Sequence, residues 1–441
     1  MSRKFYIATF GCRTNQADSA AIREDFLNSE FEEAGHHRDA EVIVVNSCTV
    51  THRSDQQVRQ LARRMRRDNP NARILITGCY AQRDPKRVSR IEGIDAVVGN
   101  TRKQELVTLS DPEQEASSQQ VSGSPRIEHD NFEKKRAIDL QEVTIIGGKT
   151  RPFVKIQDGC DAKCTYCIIP AVRGPSRSVP PEQIIQQVER LIAGGFAEIV
   201  LTGIHIGTYG MHLTPRFPLD RLLEELCALP GLGQLRISSI EPMELSRRVI
   251  DLASTTDRIA PHFHICLQSG SDPILRQMLR PYNTGRFLGI VQEIREKIPQ
   301  AGIGTDLIVG FPGETEADHE ATLKLLEDAP FTYLHVFPYS DRSGTVASKM
   351  TDKVRSETIR RRADELRQLS DQLTERFQSR QLGKEIQFLT LTEKKKGFRE
   401  ALSGNYLKVR VAPSIPGNQL MKGMVTRREG EYLHVDEASS R

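Results

Sequence analysis

Long apolar stretches are missing from this chain: no run approaches the ~18 uninterrupted apolar residues of a spanning helix, and no lipidation motif occurs. A membrane protein is therefore not expected. The opening residues, MSRKFYIATFGC, hold only a short apolar run ended by Gly11, with no cleavage site after it, and read as a first strand rather than a leader. The expected location is the cytoplasm. Cysteine is scarce, eight in 441 residues, too sparse for a disulfide scaffold, and reduced thiols in that compartment are free to bind metal. An excess of charge of either sign is nearly absent too. Sixty-two Lys and Arg against 58 Asp and Glu leave only +4, so any nucleic-acid surface must come from local clustering. With 38% hydrophobic and 27% charged residues and a mean hydropathy of -0.45, collagen, coiled-coil, low-complexity and disordered classes are excluded; no internal repeat is evident.

What is present is an alternation of strand and helix signals, at a length that predicts about three domains. Residues 4–10, 42–46, 73–78 and 96–98 are short β-branched runs separated by helical-period segments near 17–34 and 53–68, which predicts an α/β unit over 1–108 with a doubly wound parallel sheet. Residues 109–145 turn polar and read as a linker with one basic patch at Lys134, Lys135 and Arg136. Over 146–376, strand signals near 153–157, 198–202, 234–238, 262–267, 302–309 and 331–337, each followed by a helical segment, predict a partial (βα)6 barrel. A charged amphipathic helix over 354–380 closes that region. Residues 377–441 hold short strands with turn signals, which predicts a small antiparallel β-barrel.

Three cysteines, Cys160, Cys164 and Cys167, form a C-x3-C-x2-C cluster in QDGCDAKCTYCIIP, directly after a predicted barrel strand. Zinc commonly takes four protein ligands in C-x2-C pairs, and no second pair exists here. A four-iron cluster held by three thiolates keeps one iron open; a structural zinc knuckle is the alternative. Cys12, Cys48 and Cys79 have no short spacing, yet each follows a predicted parallel strand. Right-handed βα units bring such strand ends to one sheet edge, where three thiols can hold a second cluster; buried small hydrophobes are the alternative. Cys227 and Cys266 read as core residues.

The C-x3-C-x2-C loop resembles the radical S-adenosylmethionine (SAM) superfamily, which implies a 4Fe–4S cluster with SAM on its open iron and Tyr166 beside the adenine. The whole chain resembles the methylthiotransferases: an N-terminal domain with three cluster cysteines, a radical SAM barrel and a C-terminal TRAM domain. GCRTNQADS, NSCTVTHRS and IQDGCDAKCTYCIIPAVRGPSRS are most similar to the MtaB branch of that family. The resemblance implies a tRNA-modifying enzyme that inserts a methylthio group at C2 of N6-threonylcarbamoyladenosine, position 37, beside the anticodon. It further implies two 4Fe–4S clusters, two SAM molecules per turnover, an electron donor and a sulfur source. By position in the family pattern, Thr202, Gly203, Ser239, Glu241, Gln268 and Asp306 would contact SAM; Gly310 and Gly313 in VGFPGE would permit close backbone approach to the adenine, with an ordinary turn as the alternative. Ser239 as a helix cap and Asp306 as a structural acceptor are the alternatives.

From Arg380 onward there are 12 Lys or Arg against 7 Asp or Glu. Lys394, Lys395, Lys396, Arg399, Lys408, Arg410, Arg427 and Arg428 would meet phosphates of the tRNA anticodon stem-loop, with Phe398 and Tyr406 stacking bases. Solvated charge and core aromatics are the alternative. A second basic run, Arg59, Arg63, Arg64, Arg66 and Arg67, has i, i+4 members on one helix and reads either as part of that surface or as solvated charge. Two other readings remain open: an enzyme of the isopentenyladenosine branch, and a non-catalytic iron–sulfur RNA-binding or redox-sensing protein.

Overall fold

The structure is a computed structural model that describes residues 2–111, 125–132, 138 and 150–440, without the side chains of 437–440. The basic patch Lys134 to Arg136 lies outside the described residues.

The N-terminal module is a parallel sheet in the order β2-β1-β3-β4-β5-β6. Its strands are β1 (Lys4–Thr9), β2 (Glu32–Glu33), β3 (Val42–Ser47), β4 (Arg73–Gly78), β5 (Ala96–Val98) and β6 (Arg126–Glu128). Every residue of β3 is buried, as a central strand covered on both faces requires. Helices α1 (Arg13–Asn28), α2 (His52–Asp68), α3 (Cys79–Arg83) and α4 (Pro85–Ser89) follow the strands. Thr51 caps α2 by accepting from the Ser54 amide. Two strands differ from the sequence reading. The two-residue edge β2 has no periodicity to detect, and β6, with one apolar residue, lies inside the stretch read as linker.

The central module is a curved sheet of two parallel halves, β11-β10-β7 and β12-β13-β14, bridged at Leu235–Ile259 and Ile240–Ile265. The strands are β7 (Phe153–Lys155), β10 (Glu198–Thr202), β11 (Gln234–Ile237), β12 (His262–His264), β13 (Gly302–Val309) and β14 (Tyr333–Pro338); β8 (Gln157–Asp158) and β9 (Arg177–Ser178) form a small antiparallel pair beside them. Around it lie α5 (Ile169–Arg173), α6 (Pro181–Ala193), α7 (Leu219–Ala228), α8 (Arg247–Thr255), α9 (Asp272–Gln277), α10 (Thr284–Lys297), α11 (Glu316–Asp328) and α12 (Ser356–Ser379). One continuous apolar core runs from Val154 to Leu373; each fully buried Leu, Ile or Val in it contributes about 1.5–3 kcal/mol.

The C-terminal module is a closed five-stranded barrel, β15-β16-β17-β19-β18, with β15 (Glu385–Lys395), β16 (Phe398–Ser403), β17 (Lys408–Val411), β18 (Leu420–Glu429) and β19 (Tyr432–Ser440). It is not wholly antiparallel as expected: β17 and β19 pair in parallel, which closes the barrel.

A candidate two-cluster active site

Cys12, Cys48 and Cys79 stand after β1, β3 and β4, at the same edge of the parallel sheet. The glycines before two of them explain how close these turns come. Gly11 has φ +101°, and a Cβ there would lie 2.8 Å from Cys48 Cβ; Gly78 has φ +93°, and a Cβ would lie 2.4 Å from the Ser47 carbonyl oxygen. Asn15 of α1 ties the loops together, donating to the carbonyls of Phe10 at 2.7 Å and Ser47 at 3.1 Å. Cys12 is exposed, whereas Cys48 and Cys79 are buried. Burial, with Cys79 and Cys12 nearby, pushes the Cys48 thiol up to about 11.

The second triad occupies the loop after β8. Gly159 has φ +76° and passes so near Pro175 that a Cβ would lie 2.0 Å from its carbonyl oxygen. The loop is closed by Cys160 N to Gly174 O at 3.0 Å and Cys167 N to Cys164 O at 3.1 Å. Arg280 Nη1 lies 2.9 Å from Cys164 Sγ and His205 Nδ1 lies 3.3 Å from Cys160 Sγ. Burial opposes the charged imidazole, but hydrogen bonds to Cys160 and Glu244 prevail and push His205 up to about 10. Burial raises Cys167 to about 12. Cationic neighbours beside thiols are the setting in which thiolate ligands are stabilised.

Among the described residues, the trio of metal-ligand atoms within 4.8 Å of one another is His264, Asp306 and His335, and neither cysteine triad closes so tightly. Tetrahedral zinc with ~2.3 Å bonds to sulfur would draw three sulfurs to about 3.8 Å apart. The open triads fit a multi-iron cluster better than a single ion.

Three of the predicted SAM residues share one cavity. Tyr166, Gln268 and Asp306 line a space of about 200 Å³ with Cys167, and Val50 and Thr51 of the N-terminal module form its opposite wall. Asp306 accepts from His264 Nε2 at 2.8 Å and lies 3.4 Å from His335 Nδ1. Burial alone would raise its carboxyl, but these bonds hold it well below the usual range. Glu241 lies elsewhere, paired with Arg280 in a second cavity of about 200 Å³ beside Cys164 and His205. Thr202 is buried at the end of β10, and Ser239 is exposed after β11. Gly203 packs on Gln157, where a Cβ would lie 3.0 Å from the Gln157 carbonyl oxygen. Sequence reasoning missed Gln157, whose Oε1 accepts from the His205 amide at 2.7 Å and whose Nε2 donates to the Gly159 carbonyl at 2.7 Å, joining both loops.

Arg173 was missed too, although it ends the helix that follows the C-x3-C-x2-C loop. It is 1% exposed and connects the two triads. Its Nε lies 3.3 Å from Cys79 Sγ, and Nη1 lies 2.9 Å from Asp18 and 3.1 Å from Asp158, two residues before Cys160. Nη2 donates to Asn15. Lys103 and Lys155 also reach Asp18, at 2.6 and 2.5 Å. Three cations face two carboxylates here, a surplus of positive charge beside Cys79 that suits an anionic thiolate-ligated group.

On the C-terminal barrel, Lys394, Lys395, Lys396 and Lys408 are exposed. Lys408 pairs with Glu431 at 2.6 Å, Lys395 with Glu400, and Arg428 with Glu375 at 2.5 Å. Arg410 lies over the rings of Phe398 and Tyr432, 4.6 and 4.4 Å from their centroids. Together with Lys396, Arg427 and His434, Arg410 and Phe398 line a broad groove of about 900 Å³. Two assignments are corrected. Arg399 is 4% exposed, its guanidinium donating to the carbonyls of Ile415, Leu391 and Thr392 at 2.5, 2.6 and 2.8 Å, so it fastens loops and does not meet phosphate. Tyr406 stacks on His262 of the central module at 4.4 Å and does not line the groove. On α2, Arg66 is likewise structural, bound to Asp95 at 2.6 Å and to three carbonyls.

Residues 4–99 match the model of the Uncharacterized protein family UPF0004, and residues 154–326 match the Radical SAM superfamily. The chain is 37% identical to the threonylcarbamoyladenosine tRNA methylthiotransferase MtaB of Aquifex aeolicus, covering 92% of this chain and 96% of that protein. It is 35% identical to the protein of the same name in Bacillus subtilis, covering 97% and 96%. The chain belongs to the radical SAM methylthiotransferases. A tRNA-2-methylthio-N(6)-dimethylallyladenosine synthase of Corynebacterium diphtheriae is 33% identical over 88% of this methylthiotransferase and 75% of its own length. The fold resembles that of the radical SAM methyltransferase TsrM of Kitasatospora setae, with a TM-score of 0.56 at 15% identity over 77% of this chain and 75% of that one.

Proposed function

We propose that this methylthiotransferase modifies tRNA at adenosine 37, placing a methylthio group on C2 of N6-threonylcarbamoyladenosine. The observation that carries the reading is the pair of cysteine triads joined through Arg173, one on each side of a domain junction, in a chain whose near full-length relatives bear that activity in their names.

In this reading Cys160, Cys164 and Cys167 hold the 4Fe–4S cluster that binds SAM, and Cys12, Cys48 and Cys79 hold the auxiliary cluster. The bound groups supply SAM cleavage to a carbon-centred radical at one triad and sulfur for transfer at the other. The chain's own residues separate and orient these tasks. Tyr166, Gln268 and Asp306 would form the walls against which a nucleoside-bearing cofactor lies, and Val50 and Thr51 line the same cavity from the N-terminal module. Arg173 keeps positive charge beside Cys79. The groove around Lys396, Phe398 and Arg410 would hold the anticodon stem-loop, with the target base splayed from the stack. The domain limits 1–108, 146–376 and 377–441 correspond to sulfur delivery, radical generation and RNA holding. An electron donor and a sulfur source complete the turnover, and the cytoplasm, where tRNA resides, is its place.

The test is mass spectrometry of tRNA nucleosides from cells with and without the gene. Loss of 2-methylthio-N6-threonylcarbamoyladenosine is expected on deletion; an unchanged peak would remove the substrate assignment. Loss of the 2-methylthio-dimethylallyl nucleoside instead would support the second reading, which the 33% identical Corynebacterium diphtheriae relative favours.

A further inference from the structure

Arg13 follows Cys12 directly, as the first residue of α1. Its side chain leaves the N-terminal module and reaches the base of the central barrel, where Nη2 donates to the Tyr406 hydroxyl at 3.0 Å and the guanidinium lies 5.9 Å from the Tyr406 ring centroid. Among the described residues these uncharged groups are its partners, and no carboxylate pairs with it. Arginine is charged at every accessible pH and presents a planar fork matched to carboxylates, so a cation one residue from Cys12 with no carboxylate of its own suits an anion that arrives from outside.

The surroundings are equally specific. Tyr406 adopts φ +74°, a conformation costly for a side chain of this size. It is held there by the hydrogen bond its backbone N–H donates to the Ser403 carbonyl at 2.9 Å and by Arg236, which donates to the carbonyls of Ser403 and Gly404 at 3.2 and 2.9 Å. His262, 2% exposed, stacks on Tyr406 and bonds the Tyr333 hydroxyl through Nε2 at 2.8 Å. Its Nδ1 is buried and, among the described residues, has no hydrogen-bond partner. A Cβ on Gly304 would lie 2.1 Å from Tyr333 Cζ, so glycine alone lets that ring cross the barrel.

We propose that Arg13, with the Tyr406 hydroxyl and the unpartnered Nδ1 of His262, binds a carboxylate on the N6 substituent of the target adenine and thereby selects the substrate. The inference rests on the threonylcarbamoyladenosine reading. Threonine joined through its amine to a carbamoyl group keeps its carboxylate, whereas a dimethylallyl group carries no charge. C2 and C6 flank one ring nitrogen of adenine. A base whose C2 meets the Cys12 triad therefore holds its N6 substituent within reach of the adjoining residue.

The test uses the full chain with both clusters reconstituted anaerobically. Anticodon stem-loops are prepared with the N6-threonylcarbamoyl group as free acid or as methyl ester. Wild type should bind the acid about 10- to 100-fold more tightly than the ester in fluorescence anisotropy, the range for a charge-assisted contact, with the same ratio in KM. Arg13→Gln should bind both alike, and Arg13→Lys should restore part of the preference. Equal discrimination in Arg13→Gln and wild type would overturn the proposal. So would a raised Kd for SAM without RNA, which would assign the guanidinium to the methionyl carboxylate. Wild type active on neither acid nor ester would refute the substrate reading itself; activity on both without preference would refute only the role of Arg13.

Discussion

Replacing Arg173 by methionine keeps the volume of the side chain and removes its charge and donors. Asp158 then loses the bond at 3.1 Å and retains Lys155 at 3.4 Å, while Asp18 retains Lys103 and Lys155 at 2.6 and 2.5 Å. Breaking a buried ionic cluster on one side costs about 3–5 kcal/mol when the remaining charge has no partner. The surviving lysines place the expected loss at the low end, about 3 kcal/mol. For a module of 150–250 residues each kcal/mol moves Tm by about 2–4 °C, so the cluster-free chain should melt about 6–12 °C lower. Loss of the donor to Cys79 at 3.3 Å should also reduce filling of the auxiliary site. Differential scanning calorimetry and iron analysis measure the two effects. Arg173→Lys, which keeps the charge but cannot reach Cys79, Asn15 and both carboxylates together, should fall between. A methionine variant that melts within 1 °C of wild type and holds full iron would refute the argument that this guanidinium ties the two triads together.

Further outcomes follow from the same geometry. Cys79→Ser should lower the reconstituted protein from about eight to about four irons, with 5′-deoxyadenosine still formed from SAM and methylthio transfer abolished, as read by iron assay and nucleoside analysis. Glu198 is buried between Arg236 and Arg151; burial would raise its carboxyl, but the two guanidiniums hold it below the ordinary 4.5. Its contribution to stability is therefore complete above pH 4.5 and lost as pH falls through the depressed value, so Glu198→Gln should flatten the acid limb of Tm against pH. Lys394→Glu with Lys396→Glu should weaken stem-loop binding and shallow its salt dependence by about 0.7 per lost phosphate contact, measured by anisotropy across a salt series. Arg399→Ala should instead lower the melting of the C-terminal barrel.

The sequence by itself determined much of the chemistry. Cys160, Cys164 and Cys167 fall within one loop, so spacing alone declares their convergence. Strand and helix periods place Cys12, Cys48 and Cys79 at equivalent strand ends because the handedness of βα units leaves few other topologies. Gly11 and Gly78 were present in the sequence as the turn residues those approaches require. Tertiary structure alone decided the rest. Arg173 meets Cys79 and Asp18 across 94 and 155 positions, and Arg13 meets Tyr406 across 393, separations over which no local pattern is recorded. Charge in the sequence could not separate Lys394, which faces solvent, from Arg399, which is buried in carbonyls, because both sit in one basic stretch and burial depends on how the barrel closes. The parallel pairing of β17 with β19 is a property of that closure, and no strand's own residues specify it. Residue types fixed which chemistry is possible; packing between modules settled which side chains are placed to perform it.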